Sequence, residues 1–179
     1  MTAAAAAIDR LVRDIPDFPK PGVLFKDISP LLADHDGFRA VVDGLAEAGR
    51  GPGGEVVVDK VVGMEARGFI LAAPVALALG VGFVPVRKSG KLPAATHEVT
   101  YDLEYGSAAL ELHRDALAPG DRVLLVDDVL ATGGTARATR ELVDRCGASP
   151  VAMAVLIELS FLPGRATLGD LPLSALSVV

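Results

Sequence analysis

VLLVDDVLATGGTARAT, Val123 to Thr139, joins an apolar run to two adjacent carboxylates, resumes for two residues and then enters a glycine-containing loop. The run reads as a buried strand and the segment from Thr135 as a helix, so the loop sits at a strand-to-helix turn. Gly133 and Gly134 open backbone conformations closed to other residues and let a ligand approach the main chain. A loop that opens a helix there directs unpaired N–H groups and the positive end of the helix dipole at whatever lies above it. Thr132 and Thr135 add hydroxyl donors beside Ala131, and the whole suits a phosphate monoester. The spacing is not that of a Walker loop, because no lysine follows the glycines, and GxGxxG is absent too. Asp127 and Asp128 either cap the turn or serve the ligand. A carboxylate repels phosphate but accepts two hydrogen bonds, which vicinal ribose hydroxyls supply. It can also hold Mg²⁺ directly or through water. A 5-phosphorylated ribose satisfies the entire stretch.

The rest of the chain agrees with an α/β fold in which such a turn is placed. At 179 residues it is one domain's worth of sequence, long enough to bury a core. No apolar run reaches the roughly 18 residues of a membrane helix, and the alanine-rich start lacks the features of a signal peptide. The net charge of −6 argues against a nucleic-acid surface while leaving room for a local basic pocket. One cysteine, Cys146, excludes an intramolecular disulfide and reads as a core thiol at helical spacing from Leu142. A cytoplasmic protein is expected.

Strands and helices alternate along the chain. Ile8, Leu11, Val12 and Ile15 mark a short amphipathic start, and Pro16, Pro19 and Pro21 then forbid a regular helix. Phe38, Val41, Val42 and Leu45 recur at helical spacing. Glu55–Val62 reads as a buried strand. Arg67–Leu79 reads as a buried helix closed by Gly80, with a kink or restart expected at Pro74. Val81–Arg87 is a strand, and the alternation on either side of Tyr105-Gly-Ser107 predicts a hairpin. Arg122–Val129, Thr135–Cys146, Val151–Ile157 and Leu173–Val179 follow as strand, helix, strand and a final strand. This order predicts a mostly parallel sheet with helices on both faces and a ligand site outside the carboxyl ends of its strands.

The opening stretch resembles the phosphoribosyl-pyrophosphate (PRPP) motif of the type I phosphoribosyltransferases. FPKPGVLFKDISPLL, GMEARGFI, VPVRKSGKLP and LEYGSAALELHRDAL are similar, in the same order and spacing, to the adenine phosphoribosyltransferases within that family. The likeness runs from about Ile15 to about Glu158, and residues 159–179 carry no assigned function. The resemblance implies a single domain over residues 1–179, with an N-terminal hood of about 1–34 and a flexible hairpin flap at 88–107. It implies the conversion of adenine and PRPP to AMP and pyrophosphate with Mg²⁺, in a homodimer.

Other residues acquire roles through this resemblance. Arg87, Lys88 and Lys91 place three cations within five residues, either as a solvated loop or as a site where charge collects on departing oxygens. The resemblance makes them, with Arg67, the pyrophosphate-binding set, some of them supplied from the partner subunit. Glu65 and Ala66 would approach the same ligand through their backbone. Periodicity puts Glu104 on a solvated strand face; the family match makes it the catalytic glutamate, taking the adenine N9 proton or steadying charge on the ribose. Tyr105 belongs to the same flap, whose closure would keep water from an oxocarbenium-like transition state.

Phe25 is either a loop anchor or an aromatic wall for a purine whose edge the main chain around Leu24 and Lys26 would read. Lys26 stands where many family members have arginine, which removes a planar fork. His35, His97 and His113 lack metal-ligand spacing and read as surface or loop residues. Two other readings remain at this stage: a transferase for a 6-oxopurine, and a non-catalytic regulator sensing PRPP or purines. The retained flap and the lack of room for a DNA-binding module weigh against the regulator.

Overall fold

A computed structural model describes residues 2–102 and 107–179. Its core is a seven-stranded sheet built from β3 (Lys60–Met64), β4 (Gly82–Lys88), β5 (Thr96–Asp102), β6 (Ser107–His113), β7 (Arg122–Leu130), β8 (Ser149–Glu158) and β9 (Leu173–Val178). The strand order is β5-β6-β4-β3-β7-β8-β9. From β4 to β9 all neighbours are parallel, while β6 and β5 add an antiparallel hairpin at one edge. A small ribbon of β1 (Arg13–Ile15) and β2 (Phe25–Asp27) stands apart from it.

The helices are α1 (Ala3–Leu11), α2 (Ser29–Ala33), α3 (His35–Ala46), α4 (Arg67–Leu79), α5 (Gly134–Arg145) and α6 (Gly164–Leu168). Strand periodicity assigns them to faces. In β7, Val123 and Leu125 turn to the side covered by α5, where they join Val62, Val155 and Leu142. Leu124 and Val126 turn to the other side and join Val61, Leu156, Leu71 and Val41 beneath α3 and α4. Both faces are dry, which is why the central strands read as continuous apolar runs.

Gly63 is where α4 presses closest on the sheet. A Cβ there would lie 2.7 Å from the Ala72 side chain, so any larger residue would lift the helix. Gly80 closes α4 in the left-handed conformation, at φ 70°, and Gly147 follows α5 at φ 75°.

The hairpin, the helices expected around Phe38–Leu45, Arg67–Leu79 and Thr135–Cys146, and the final strand lie where the sequence predicts them, whereas α2, α6 and the β1–β2 ribbon fall where the sequence marks no element. Two details differ. The strand expected over Glu55–Val62 begins only at Lys60 and continues to Met64. Asp59 interrupts the β-branched run: its carboxylate takes hydrogen bonds from the Arg122 backbone and guanidinium, and Val56 makes only an isolated bridge to Arg50. Secondly, α4 runs through Pro74 without a restart. The carbonyl that Pro74 leaves without its usual N–H belongs to Ile70, a residue on the exposed side of the helix.

β3 is central to the site. The chain leaves it through α4 to reach β4 on one side, and leaves β7 through α5 to reach β8 on the other. The two helices lie on opposite faces, so both begin at the crevice outside the carboxyl ends of β3 and β7. β3 ends at Met64, whereas β7 continues to Leu130. The register pairs Gly63 with Val126, so Asp127 is level with Met64, the last residue of β3, and Asp128 stands one beyond it, at the lip of that crevice.

Candidate active site

Three adjoining cavities form one cleft along this lip. The first, about 80 Å³, is lined by the Ala131–Thr135 loop together with Asp127, Val129 and Ala136. The second, about 380 Å³, is lined by Glu65, Ala66, Arg67, Asp127, Asp128, Val129, Ala131 and Thr135. The third, about 130 Å³, lies among Val23, Leu24, Phe25, Lys26, Arg67, Val129 and Leu159. Asp127 and Thr135 border the first two, and Arg67 and Val129 join the second to the third.

The loop cavity is built for an anion. Gly133 is the N-cap of α5 at φ 82°, and no side chain caps the helix. Among the described residues, no acceptor takes the N–H groups of Thr132 to Ala136. Five successive amides are thus left for a ligand at the positive end of a twelve-residue helix. The Thr135 hydroxyl is 3.4 Å from that of Tyr101 on β5, which ties the hairpin to the loop.

The two aspartates differ in their surroundings. Asp128 is buried and shares the strand parity of Leu124 and Val126, so it turns towards α4. There its Oδ2 meets Arg67 Nε at 2.8 Å, in an ion pair that lacks hydrogen-bond alignment and leaves that oxygen without a hydrogen-bond partner. Asp127 receives the Asp128 N–H at 2.9 Å. Burial, then the negative charge of Asp128, pushes the Asp127 pKa well above the usual carboxylate range, with Arg67 opposing less strongly. Gly68 permits this arrangement, since a Cβ there would come within 2.9 Å of Asp127 Oδ1 and 3.0 Å of the Val126 carbonyl.

Arg67 joins the Phe25 cavity to the carboxylates, its guanidinium carbon 4.9 Å from the centroid of the Phe25 ring. Phe18 packs edge-on against the Phe25 ring, with centroids 5.1 Å apart. Leu24 is half exposed at the pocket mouth. Lys26 directs its ammonium to Asp14 at 2.7 Å, across the β1–β2 ribbon. Its charge is therefore used within the ribbon.

The basic loop departs from its simplest reading. Arg87 is turned inward, with Nε 3.3 Å from Glu65 Oε2 and a second nitrogen 3.2 Å from the Lys91 carbonyl. Glu65 also accepts the Lys88 N–H at 2.9 Å. None of Arg87, Lys88 and Lys91 lines the cleft; they approach it through Glu65, which does. Lys88 and Lys91 have exposed side chains.

Sequence reasoning missed Glu111, a buried residue on β6 whose Oε1 accepts the N–H groups of Lys91 and Leu92 at 2.7 and 2.6 Å. Burial works to raise its pKa, but the amides of Leu92, Lys91 and Gly90 outweigh it and the pKa falls below 4.5. The sole signal available was a glutamate out of phase with Leu110 and Leu112 in an otherwise regular alternation. Glu111→Ala is expected to lower the melting temperature at neutral pH by leaving two amides unpaired, at a cost of about 1–3 kcal/mol. A depressed carboxyl stabilises the fold above its unfolded pKa and ceases to as the pH falls through the folded value. The gap between wild type and variant should therefore close below about pH 4.5; a gap constant with pH would refute this account.

Glu104 and Tyr105 lie outside the described residues.

Comparison with known proteins accords with this geometry. Residues 32–162 match the sequence profile of the phosphoribosyl transferase domain. An adenine phosphoribosyltransferase of Nocardioides sp. is 69% identical over 169 residues, covering 94% of this chain and 91% of the relative. The chain belongs to the adenine phosphoribosyltransferase family. Among solved structures of that family, the Thermoanaerobacter pseudethanolicus protein superposes with a TM-score of 0.91 at 46% identity, covering 98% of this chain and 99% of its own. The Saccharomyces cerevisiae enzyme, crystallised with adenine and an imino-altritol bisphosphate, gives 0.90 at 40% identity, covering 97% and 98%. The adenine phosphoribosyltransferase fold thus spans nearly the whole chain, including the residues beyond Glu158 that sequence reasoning left unassigned.

Proposed function

We infer that this chain transfers the 5-phosphoribosyl group of PRPP to N9 of adenine, giving AMP and pyrophosphate. The observation that carries the reading is the continuous cleft, with an anion pocket, a carboxylate pair and an aromatic pocket in the order that phosphate, ribose and base have in AMP.

The five free amides of residues 132–136 and the hydroxyls of Thr132 and Thr135 receive the 5-phosphate. Asp127 and Asp128 accept hydrogen bonds from the ribose hydroxyls and fix C1 above the cleft. Arg67 begins paired with Asp128 and can exchange part of that contact for pyrophosphate oxygens. Lys88 and Lys91 approach the same charge from the loop held by Glu65 and Glu111. Phe25 provides a flat apolar wall for the base, and Glu104 takes the N9 proton from adenine as C1 is attacked. Tyr105 is assigned, with Glu104, to the flap that keeps water from the transition state.

Mg²⁺ fits this donor set as an ion that arrives with PRPP. Among the described residues no group of three or more metal-ligating side chains is assembled, and Mg²⁺ commonly takes one or two carboxylates along with substrate oxygens and water. Asp127 and Asp128 are the carboxylates that would meet it, through water, and the ion would neutralise charge on the leaving pyrophosphate. The chain is proposed to act as a homodimer; Ile70 and Leu77, seven residues apart on α4, are large exposed apolar side chains. Its expected setting is the cytoplasm, given the single cysteine and acidic composition.

The test is pyrophosphate release from PRPP and Mg²⁺ with adenine, hypoxanthine, guanine and xanthine in parallel. Release with adenine alone is expected. Release with a 6-oxopurine but not adenine would move the chain to another base, and no release with any base would overturn the enzymatic reading.

A further inference from the structure

Residues 159–179 have no assigned role, yet α6 lies directly behind the phosphate loop. Thr167 Oγ1 is 2.9 Å from the Thr132 carbonyl and 3.0 Å from that of Pro163. Gly164 is buried against the Ala131 carbonyl so closely that a Cβ on it would come within 2.4 Å of that oxygen. On the other side of the contact, a Cβ on Gly133 would lie 2.8 Å from Thr167 Cβ and 3.0 Å from the Gly164 carbonyl. The loop and α6 thus meet through two glycines and one hydroxyl. The backbone of Leu159 adds a 3.0 Å bond to the Leu130 carbonyl just before the loop. Glu158 and Arg165 pair across the same turn, with Arg165 Nε 2.8 Å from Glu158 Oε1.

A trans peptide unit is planar, and its C=O and N–H point in opposite directions. Thr167 donates to the Thr132 carbonyl from behind and Gly164 lies against that of Ala131, so the amides of the same peptide units, on Gly133 and Thr132, are turned away from α6. Those two amides belong to the unpaired set that lines the anion pocket. We propose that Thr167, with Gly164, is a positioning element for the phosphate loop, orienting the Thr132 and Gly133 amides towards the 5-phosphate of the substrate. Thr167 does not touch substrate; it acts through the Thr132 carbonyl. The proposal rests on the reading of the loop as the 5-phosphate site.

The test compares wild type with Thr167→Val, which keeps the shape and removes the hydroxyl, and Thr167→Ser, which keeps the hydroxyl. Kinetics with PRPP and adenine would be joined by direct titration with ribose 5-phosphate, which needs no turnover. Thr167→Val is expected to raise the KM for PRPP and the Kd for ribose 5-phosphate by about fivefold, the effect of one ordinary hydrogen bond. The KM for adenine should stay unchanged and kcat should change little, while Thr167→Ser remains within about twofold of wild type. Wild-type values in Thr167→Val would overturn the proposal, as would a serine variant as weak as the valine one. If Thr167→Val proves unstable, Thr167→Ala serves in its place at a temperature where it is folded. A wild type that binds ribose 5-phosphate but releases no pyrophosphate with any base would defeat the enzymatic reading alone, and the titration would still decide the role of Thr167.

Discussion

Asp127→Asn is expected to raise the melting temperature of the ligand-free protein at neutral pH while weakening PRPP binding by roughly tenfold to a hundredfold. The two effects have one cause. The folded protein raises the Asp127 pKa well above its ordinary value of 3.8, through burial and then through the Asp128 charge. Between that value and the raised one the folded state holds more protons than the unfolded state. Stability therefore falls as the pH rises through this window. Asparagine keeps the shape without the charge, so the variant escapes that loss and should gain most where the pH is highest.

The same carboxylate is the acceptor proposed for the ribose hydroxyls. Hydrogen bonds to a charged group contribute about 1.5–3 kcal/mol, and each 1.4 kcal/mol is a factor of ten. Calorimetry from pH 5 to 8, paired with PRPP titration, measures both. The double variant Asp127→Asn, Asp128→Asn should bind PRPP more weakly still and remain folded. Normal PRPP affinity in the double variant would remove the aspartates from the ribose site.

Gly133→Ala should be the most damaging single methyl group in the cleft. Gly133 lies at φ 82°, where an L side chain costs roughly 1–2 kcal/mol. Its new Cβ would also stand 2.8 Å from Thr167 Cβ and 3.0 Å from the Gly164 carbonyl, neither of which is the loose end of a flexible chain. Relief requires the loop to move away from α6, which carries the amides of residues 132–136 out of alignment. PRPP affinity is expected to fall by on the order of a hundredfold or more, because several amides lose their common focus together. The melting temperature should fall as well. By contrast, Gly54→Ala has a positive φ of 82° but open space around the Cβ, and serves as the control. It should lose comparable backbone stability and keep PRPP affinity. Equal binding losses in both variants would show that strain alone, not the loop contact, is responsible.

Much of this was legible in the chain. Val123–Val126 announced a strand buried on both faces, and the change from apolar run to Asp127, Asp128 and Gly133 marked where it ends and what it meets. The two faces of β7 follow from alternation, which also directs Asp128 to α4 and its contact with Arg67. Other features depend on residues that sequence places far apart. Nothing near Arg87 shows that it is paired with Glu65, 22 positions earlier. Nothing near Lys91 points to Glu111, 20 positions later. The break in the run at Asp59 needed Arg122, 63 positions away, to be explained. Gly164 and Thr167 belong to a stretch the sequence leaves unassigned, and only the fold brings them behind the loop, 31 and 35 positions from Gly133 and Thr132. Periodicity reports which face a residue takes; it is silent about the neighbour that waits there.

Glu65 and Glu111 hold the basic loop by its main chain, through the N–H groups of Lys88, Lys91 and Leu92. Such a grip is indifferent to side chains, since every residue but proline offers the same amide. The path of the loop and its composition are thereby separated. Residues 88, 89, 91 and 92 can be recomposed, even exchanged for those of a relative, and still follow the same course, provided both anchoring glutamates and Gly90, at φ 78°, remain and no proline enters at 88, 89, 91 or 92. The tolerance of this segment to variation is thus written into two side chains that lie outside it.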